Sequence, residues 1–188
     1  MNLRIICILA LALLLTSAAG AHAFGWALVN AKIRREFPDV PRITTTELAA
    51  WLDDGSRPPP LLLDVRTQAE FDVSHLARAK RVEPAASASS VGEAKDRPIV
   101  TYCSVGYRSG AFAKKLLEAG YTNVTNLEGS IFRWANEGRP VARGAHQAEK
   151  VHPYNSSWGL LLKRRYRAQV PAGDRARAET SDSVSKTR

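Results

Sequence analysis

Cysteine 103 is the residue best placed to do covalent chemistry. It closes the short apolar run Ile99-Val100-Thr101-Tyr102 and is followed by Ser104-Val105-Gly106-Tyr107-Arg108-Ser109. The stretch after it, Ser109 to Ala119, carries an amphipathic helical pattern and is closed by Gly120. A thiol between a strand end and a helix start sits among unpaired backbone N–H groups and the positive end of the helix dipole. That setting lowers a cysteine pKa and favours the nucleophilic thiolate. Loop N–H groups from Ser104 to Ser109 are expected to form a nest around negative charge on sulfur. Gly106 lets the backbone curl where a side chain would clash. Arg108 offers a guanidinium fork for a small anion. The contrary reading, a core cysteine packed as a small hydrophobe, leaves the glycine and arginine of the loop unexplained.

The elements that must position this loop follow in sequence order. Asn30 to Phe37 reads as a short helical lead-in, stopped by Pro38 and Pro41. Thr44-Thr45-Thr46-Glu47 and Thr67-Gln68-Ala69-Glu70 are two capping boxes, each predicting a helix start. Leu61 to Val65 is a continuous apolar run with Asp64 near its end, the pattern of a strand covered on both faces. Ala79–Val82, Pro98–Tyr102 and Val124–Leu127 are further strands, and Ser130–Asn136 a further helix. Strands alternating with helices over short connections predict an α/β domain with a parallel sheet flanked by helices. In such sheets function gathers at the C-terminal strand ends, where Cys103 lies. Asp64 and Arg66 read as structural, with Arg66 able to pair with Glu70 or Asp64.

The two ends differ from this body. Met1 to Arg4 followed by the apolar run Ile5–Leu15 and Ala21-His22-Ala23 reads as a signal peptide over residues 1–23, cleaved after Ala23. Its rival is a retained membrane anchor over residues 3–29. Either way export is expected, to the periplasm or to the inner membrane facing it. Cys7 falls in the apolar run, so a mature chain keeps Cys103 as a lone thiol with no internal disulfide. One cysteine and four scattered histidines give no metal-ligand spacing, and no cofactor is expected.

The net charge of +9 is uneven. Residues 24–138 hold 15 Lys/Arg against 14 Asp/Glu, whereas residues 139–188 hold 11 against 4. The basicity therefore belongs to a C-terminal extension, residues 144–188, and no base-reading motif marks it for nucleic acid. Within it, Trp158–Leu162 runs into Lys163-Arg164-Arg165-Tyr166-Arg167. Two readings stay open for this piece: contact with an anionic membrane, or a packed segment with a solvated charged end. Beyond about residue 168 the composition predicts disorder.

The order and content of these pieces resemble the rhodanese sulfurtransferase family. The resemblance is carried by Leu63-Asp64-Val65-Arg66 with Glu70-Phe71, by Ser74-His75-Leu76-Ala77-Arg78-Ala79, by the loop Cys103 to Ser109, and by Leu127-Glu128-Gly129-Ser130 with Trp134. It covers about Ile43 to Val141, within a domain set at residues 43–143 after a lead-in over 24–42. It implies a central five-stranded parallel sheet with helices on both faces. It implies sulfur transfer from thiosulfate or a similar small anionic donor, through a persulfide on Cys103, to a thiophilic acceptor. On this reading Ser104, Val105, Gly106, Tyr107, Arg108 and Ser109 bind substrate, while Asp64, Arg66 and Glu70 support them. A sulfur carrier for a protein acceptor, or a partner-binding module, is the alternative. Four residues separate Cys103 from Arg108, one fewer than in the related dual-specificity phosphatases, which favours sulfur over a phosphoryl group or arsenate. Ser74, Arg78 and Ser130 stand where the family's motifs carry glycine, and Ala77 where they carry proline; the change at Arg78 is expected to alter the rim of the site.

Overall fold

The computed structural model describes residues 3–170, with side chains from residue 20 onward. The apolar run before residue 20 and the tail after residue 170 thus lie outside what can be said of side-chain packing, as does the expected disorder of that tail. The chain begins with α1 (Leu3–Glu36), so the predicted short lead-in is the end of a 34-residue helix. It stops where the sequence reaches Pro38. Trp26 and Ile33 of its C-terminal part, and Phe37 just after it, enter the core.

A five-stranded parallel sheet follows, built from β1 (Arg42–Ile43), β2 (Leu61–Asp64), β3 (Lys80–Arg81), β4 (Ile99–Tyr102) and β5 (Val124–Leu127). Its strand order is β1-β5-β4-β2-β3. Both capping boxes form as the sequence predicts. Thr44 opens α2 (Thr45–Asp53) and Thr67 opens α3 (Gln68–Val73), each hydroxyl accepting from the N3 amide while the N3 glutamate accepts from the cap amide. The α4 helix (Tyr107–Glu118) follows β4, and α5 (Ser130–Asn136) follows β5.

The apolar runs divide between two cores by strand alternation. Leu62, Val100 and Leu127 meet Leu48 and Trp51 of α2 and Ile131 and Phe132 of α5 on one face. Leu63, Ile99 and Val124 meet Phe112 and Leu116 of α4, with Ile33 of α1 and Phe37 just after it, on the other. Both faces are covered, which is why these strands read as unbroken hydrophobic runs rather than alternating ones.

Packing continues past residue 143, the predicted domain end. A hairpin of β6 (Val141–Arg143) and β7 (His146–Ala148) is tied to the body by paired amide bonds between His75 and Ala142. The chain then crosses back over the first core through α6 (Ser156–Gly159). Val151 and Leu162 are fully buried, and Leu161 nearly so. Of the two readings of Trp158–Leu162, the structure thus places Leu161 and Leu162 inside, with Lys163, Arg164 and Arg165 exposed. Among the described residues no helix is long and apolar enough to cross a membrane.

Candidate active site

Cys103 follows the last residue of β4 and opens a loop that ends as α4 begins. The loop's carbonyls are turned away from the sulfur by specific partners. Cys103 O accepts from the Ile131 amide at 3.2 Å and Ser104 O from the Phe132 amide at 3.1 Å. Gly106 O accepts from the Gly110 amide at 3.0 Å and from Asn126 Nδ2 at 2.9 Å. With the carbonyls held outward, N–H groups face the thiol, and the Gly106 amide donates to Cys103 Sγ at 3.2 Å. Gly106 has φ +111°, a backbone region that side chains rarely tolerate. The Cys103 amide is itself satisfied by Ser130 Oγ at 3.2 Å.

Charge then decides the state of the sulfur. Cys103 is only 1% exposed, and burial pushes its pKa up. The Arg108 cation, the Ser109 amide and hydroxyl, and the Gly106 amide pull it down, and together they outweigh burial. The net shift is downward, toward the thiolate. The Ser109 hydroxyl lies 2.7 Å from Asn126 Oδ1, which fixes it beside the loop.

Arg108 is less open than the sequence suggests. Its Nη1 and Nη2 donate to the two oxygens of Glu70 at 2.8 and 2.7 Å, and Nη2 also reaches Ser104 Oγ at 3.0 Å. Glu70, read from sequence as support only, is therefore part of the site. Ser104 Oγ donates to it at 2.9 Å, and the Thr67 amide and hydroxyl donate at 3.0 and 2.9 Å. Burial would raise the Glu70 carboxyl, but Arg108, Arg66 and the Thr67 amide hold it well below the usual carboxylate range.

Asp64 and Arg66 form a separate buried pair. Arg66 Nε and Nη2 donate to the two Asp64 oxygens at 2.8 and 2.6 Å, and Nη2 also donates to Ser74 O at 2.6 Å. Of the two partners open to it in sequence, Arg66 takes Asp64. Both side chains are wholly buried. The pair ties the exit of β2 to the turn after α3, where Tyr102 Oη accepts from the Leu76 amide at 3.0 Å.

Val105 packs into the first core with a 5% exposed side chain. Tyr107 leans on Phe37, with ring centroids 5.4 Å apart, and has Lys32 Nζ 5.2 Å from its ring centre. Arg78 and Ser130 both keep positive φ, 63° and 49°, so the turns survive without glycine.

Three contributors escape a reading of the sequence. Asn126, in β5, pins the loop through both ends of its amide; a polar residue inside an apolar strand was its only signal. Tyr154 and Trp158 come from the C-terminal crossing. Together with Val105, Tyr107 and Arg108 they wall a cavity of about 50 Å³ over Cys103. The Tyr154 ring lies 4.5 Å from the Arg108 guanidinium carbon.

A cysteine held toward its thiolate at a strand end of a parallel α/β sheet, on a loop of inward N–H groups, defines a domain built for nucleophilic sulfur chemistry. Residues 44–137, half of the chain, match the rhodanese-like domain, and the chain belongs to that family. It is 36% identical over 101 residues to a probable adenylyltransferase/sulfurtransferase of Mycobacterium tuberculosis, covering 52% of this chain and 25% of that protein. The chain thus spans about a quarter of that relative. It is 37% identical over 82 residues to a sulfurtransferase of Allochromatium vinosum, covering 43% of this chain and 77% of the other. Names among relatives vary: a tRNA uridine(34) hydroxylase of Burkholderia pseudomallei is 31% identical over 124 residues, covering 61% and 40% of the two chains. In fold, the chain is similar to the rhodanese-like domain of an Anabaena protein, with a TM-score of 0.50 and 24% identity over 54% of this chain and 78% of that one.

Proposed function

We propose that this protein transfers a sulfane sulfur from thiosulfate or a similar small donor to a thiophilic acceptor through a persulfide on Cys103. The observation that carries the reading is the cradle of the thiol: N–H groups turned inward and the Arg108 cation beside it, in a loop with four residues between cysteine and arginine. In the first step the Cys103 thiolate attacks the outer sulfur of thiosulfate. A new S–S bond forms, the donor's S–S bond breaks, and sulfite leaves with the electron pair. In the second, an acceptor such as cyanide attacks the outer persulfide sulfur. A C–S bond forms, the persulfide bond breaks, and the thiolate is restored. No external oxidant, reductant or proton is needed. The same N–H groups hold negative charge at the sulfur in both resting states. Arg108, charge-paired with Glu70, contributes a fixed field rather than an open fork.

Initial rates at several fixed cyanide concentrations test this. Parallel lines in double-reciprocal plots against thiosulfate are expected, because the two substrates never share the site. Intersecting lines would mean a ternary complex and would overturn the persulfide route.

For location, we propose export, with residues 1–23 acting as a signal peptide. The basic start Met1–Arg4, the apolar run Ile5–Leu15 and the Ala21-His22-Ala23 pattern support cleavage after Ala23 over an anchor across residues 3–29. N-terminal sequencing of the exported protein is expected to begin at Phe24. A start at or near Met1 would overturn it.

A further inference from the structure

The C-terminal crossing lies outside the residues that match the family, yet it closes the catalytic cavity. It is fastened at both ends. The Val151 amide donates to Tyr166 O at 2.7 Å and Val151 O accepts from the Ala168 amide at 2.9 Å. At the other end Leu161 O accepts from Asn136 Nδ2 at 2.8 Å and the Lys163 amide donates to Asn136 Oδ1 at 2.7 Å. Between these ties the chain is shaped by local devices. Tyr154 adopts φ +64°, a left-handed conformation that a tyrosine rarely takes. Its amide donates to His152 Nδ1 at 3.0 Å. Asn155 caps α6 by accepting from the Trp158 amide at 2.9 Å, and Gly159 passes so close to Pro153 that an added Cβ would lie 3.1 Å from it.

The strained tyrosine has a result. Its ring is set against the Arg108 guanidinium, and Trp158 one helical turn later completes the wall. The cavity of about 50 Å³ left over Cys103 has room for a few waters, one needing about 10–15 Å³ on this measure, and so for a small anion rather than a bulky thiol. With the Arg108 charge already met by Glu70, what the pocket presents is mostly aromatic surface. Size, rather than opposite charge, then selects what reaches the sulfur.

We infer that Tyr154 and Trp158 are specificity-determining residues that confine Cys103 to small sulfur species and exclude persulfides carried on peptides or other bulky thiols. The inference rests on the sulfur-transfer reading for its substrate class, but the wall itself can be tested without it.

Two variants remove the wall. Tyr154→Gly deletes the ring and places glycine where φ is positive, so the turn is kept. Trp158→Ala shortens the second side chain while Asn155 still caps the helix. The first measurement is the rate of Cys103 alkylation by a pyrene maleimide relative to iodoacetamide, at matched thiolate fraction. Each variant should raise that ratio by roughly tenfold or more, the scale on which a pocket wall discriminates. The second is the ratio of kcat/KM for glutathione persulfide to that for thiosulfate, which should rise in parallel. An unchanged alkylation ratio in both variants would overturn the inference whatever the donor. A raised alkylation ratio with no sulfur transfer from either donor would keep the wall and sink the sulfur-transfer reading.

Discussion

Removing the charge of Glu70 tests how the site is held together. Its two oxygens serve five donors: two nitrogens of Arg108, the Ser104 hydroxyl, and the Thr67 amide and hydroxyl. In Glu70→Gln one of those oxygens becomes an NH2 group that cannot accept. Whichever way the amide turns, at least one Arg108 N–H and one hydroxyl or amide face a donor instead of an acceptor. The Glu70 side chain is 2% exposed and that of Arg108 is 22% exposed, so water relieves the arginine only in part. Leaving one partner of a buried ion pair uncompensated costs about 3–5 kcal/mol. The partial exposure of Arg108 sets the expectation at the low end, about 3 kcal/mol. Urea denaturation followed by fluorescence reads this as a fall in midpoint at constant m-value. The sign with pH follows from the direction of the shift. Because the folded-state carboxyl is held below its unfolded value of about 4.3, its stabilisation is full above that pH. It is lost as pH falls toward the folded pKa. The wild type should therefore lose this increment in acid, and Glu70→Gln should lack that part of the acid limb. A loss under about 1 kcal/mol near neutrality, with the acid limb unchanged, would refute the assignment of Glu70 as the keystone of Arg108.

Further outcomes follow from the same geometry. Ser109→Ala removes a hydroxyl that lowers the Cys103 pKa, so the pH midpoint of iodoacetamide alkylation should move upward; a downward move would contradict the charge account. Arg78→Gly relieves a non-glycine φ of 63°, worth about 1 kcal/mol after the entropy of glycine is set against it. The melting temperature should rise by about 2–4 °C, and a fall would show that the Arg78 side chain contributes more than its backbone costs. Leu162→Ala empties a fully buried position under the crossing and should cost about 2–5 kcal/mol, read by thermal melting; a cost near zero would mean the crossing is not part of the folded unit.

The parts of the fold visible in the sequence are those set by neighbours along the chain. Thr44 with Glu47 and Thr67 with Glu70 close their boxes across three residues, and the apolar runs at Leu61 and Ile99 need only be buried on both faces. The nucleophile was visible for the same reason: cysteine, glycine and arginine sit in one loop. The hidden parts depend on distant partners. Arg108 meets Glu70 across 38 residues, so its fork looked open to a ligand. Asn126 acts on the loop from a neighbouring strand. Tyr154 and Trp158 reach the site only because Leu161 and Leu162 are buried far from the loop in sequence. Their apolar run could be read as packing or as membrane contact until its neighbours were known. The three lost glycines were visible as substitutions, at Ser74, Arg78 and Ser130, but only the dihedrals reveal that Arg78 and Ser130 keep the left-handed turns.

The most direct measurement is the intact mass of the purified protein after incubation with thiosulfate, beside Cys103→Ser. The wild type should gain one sulfur atom and the variant none, and cyanide should remove the added sulfur with release of an equal amount of thiocyanate. No added mass on the wild type, with the thiol still open to alkylation, would contradict a persulfide on Cys103.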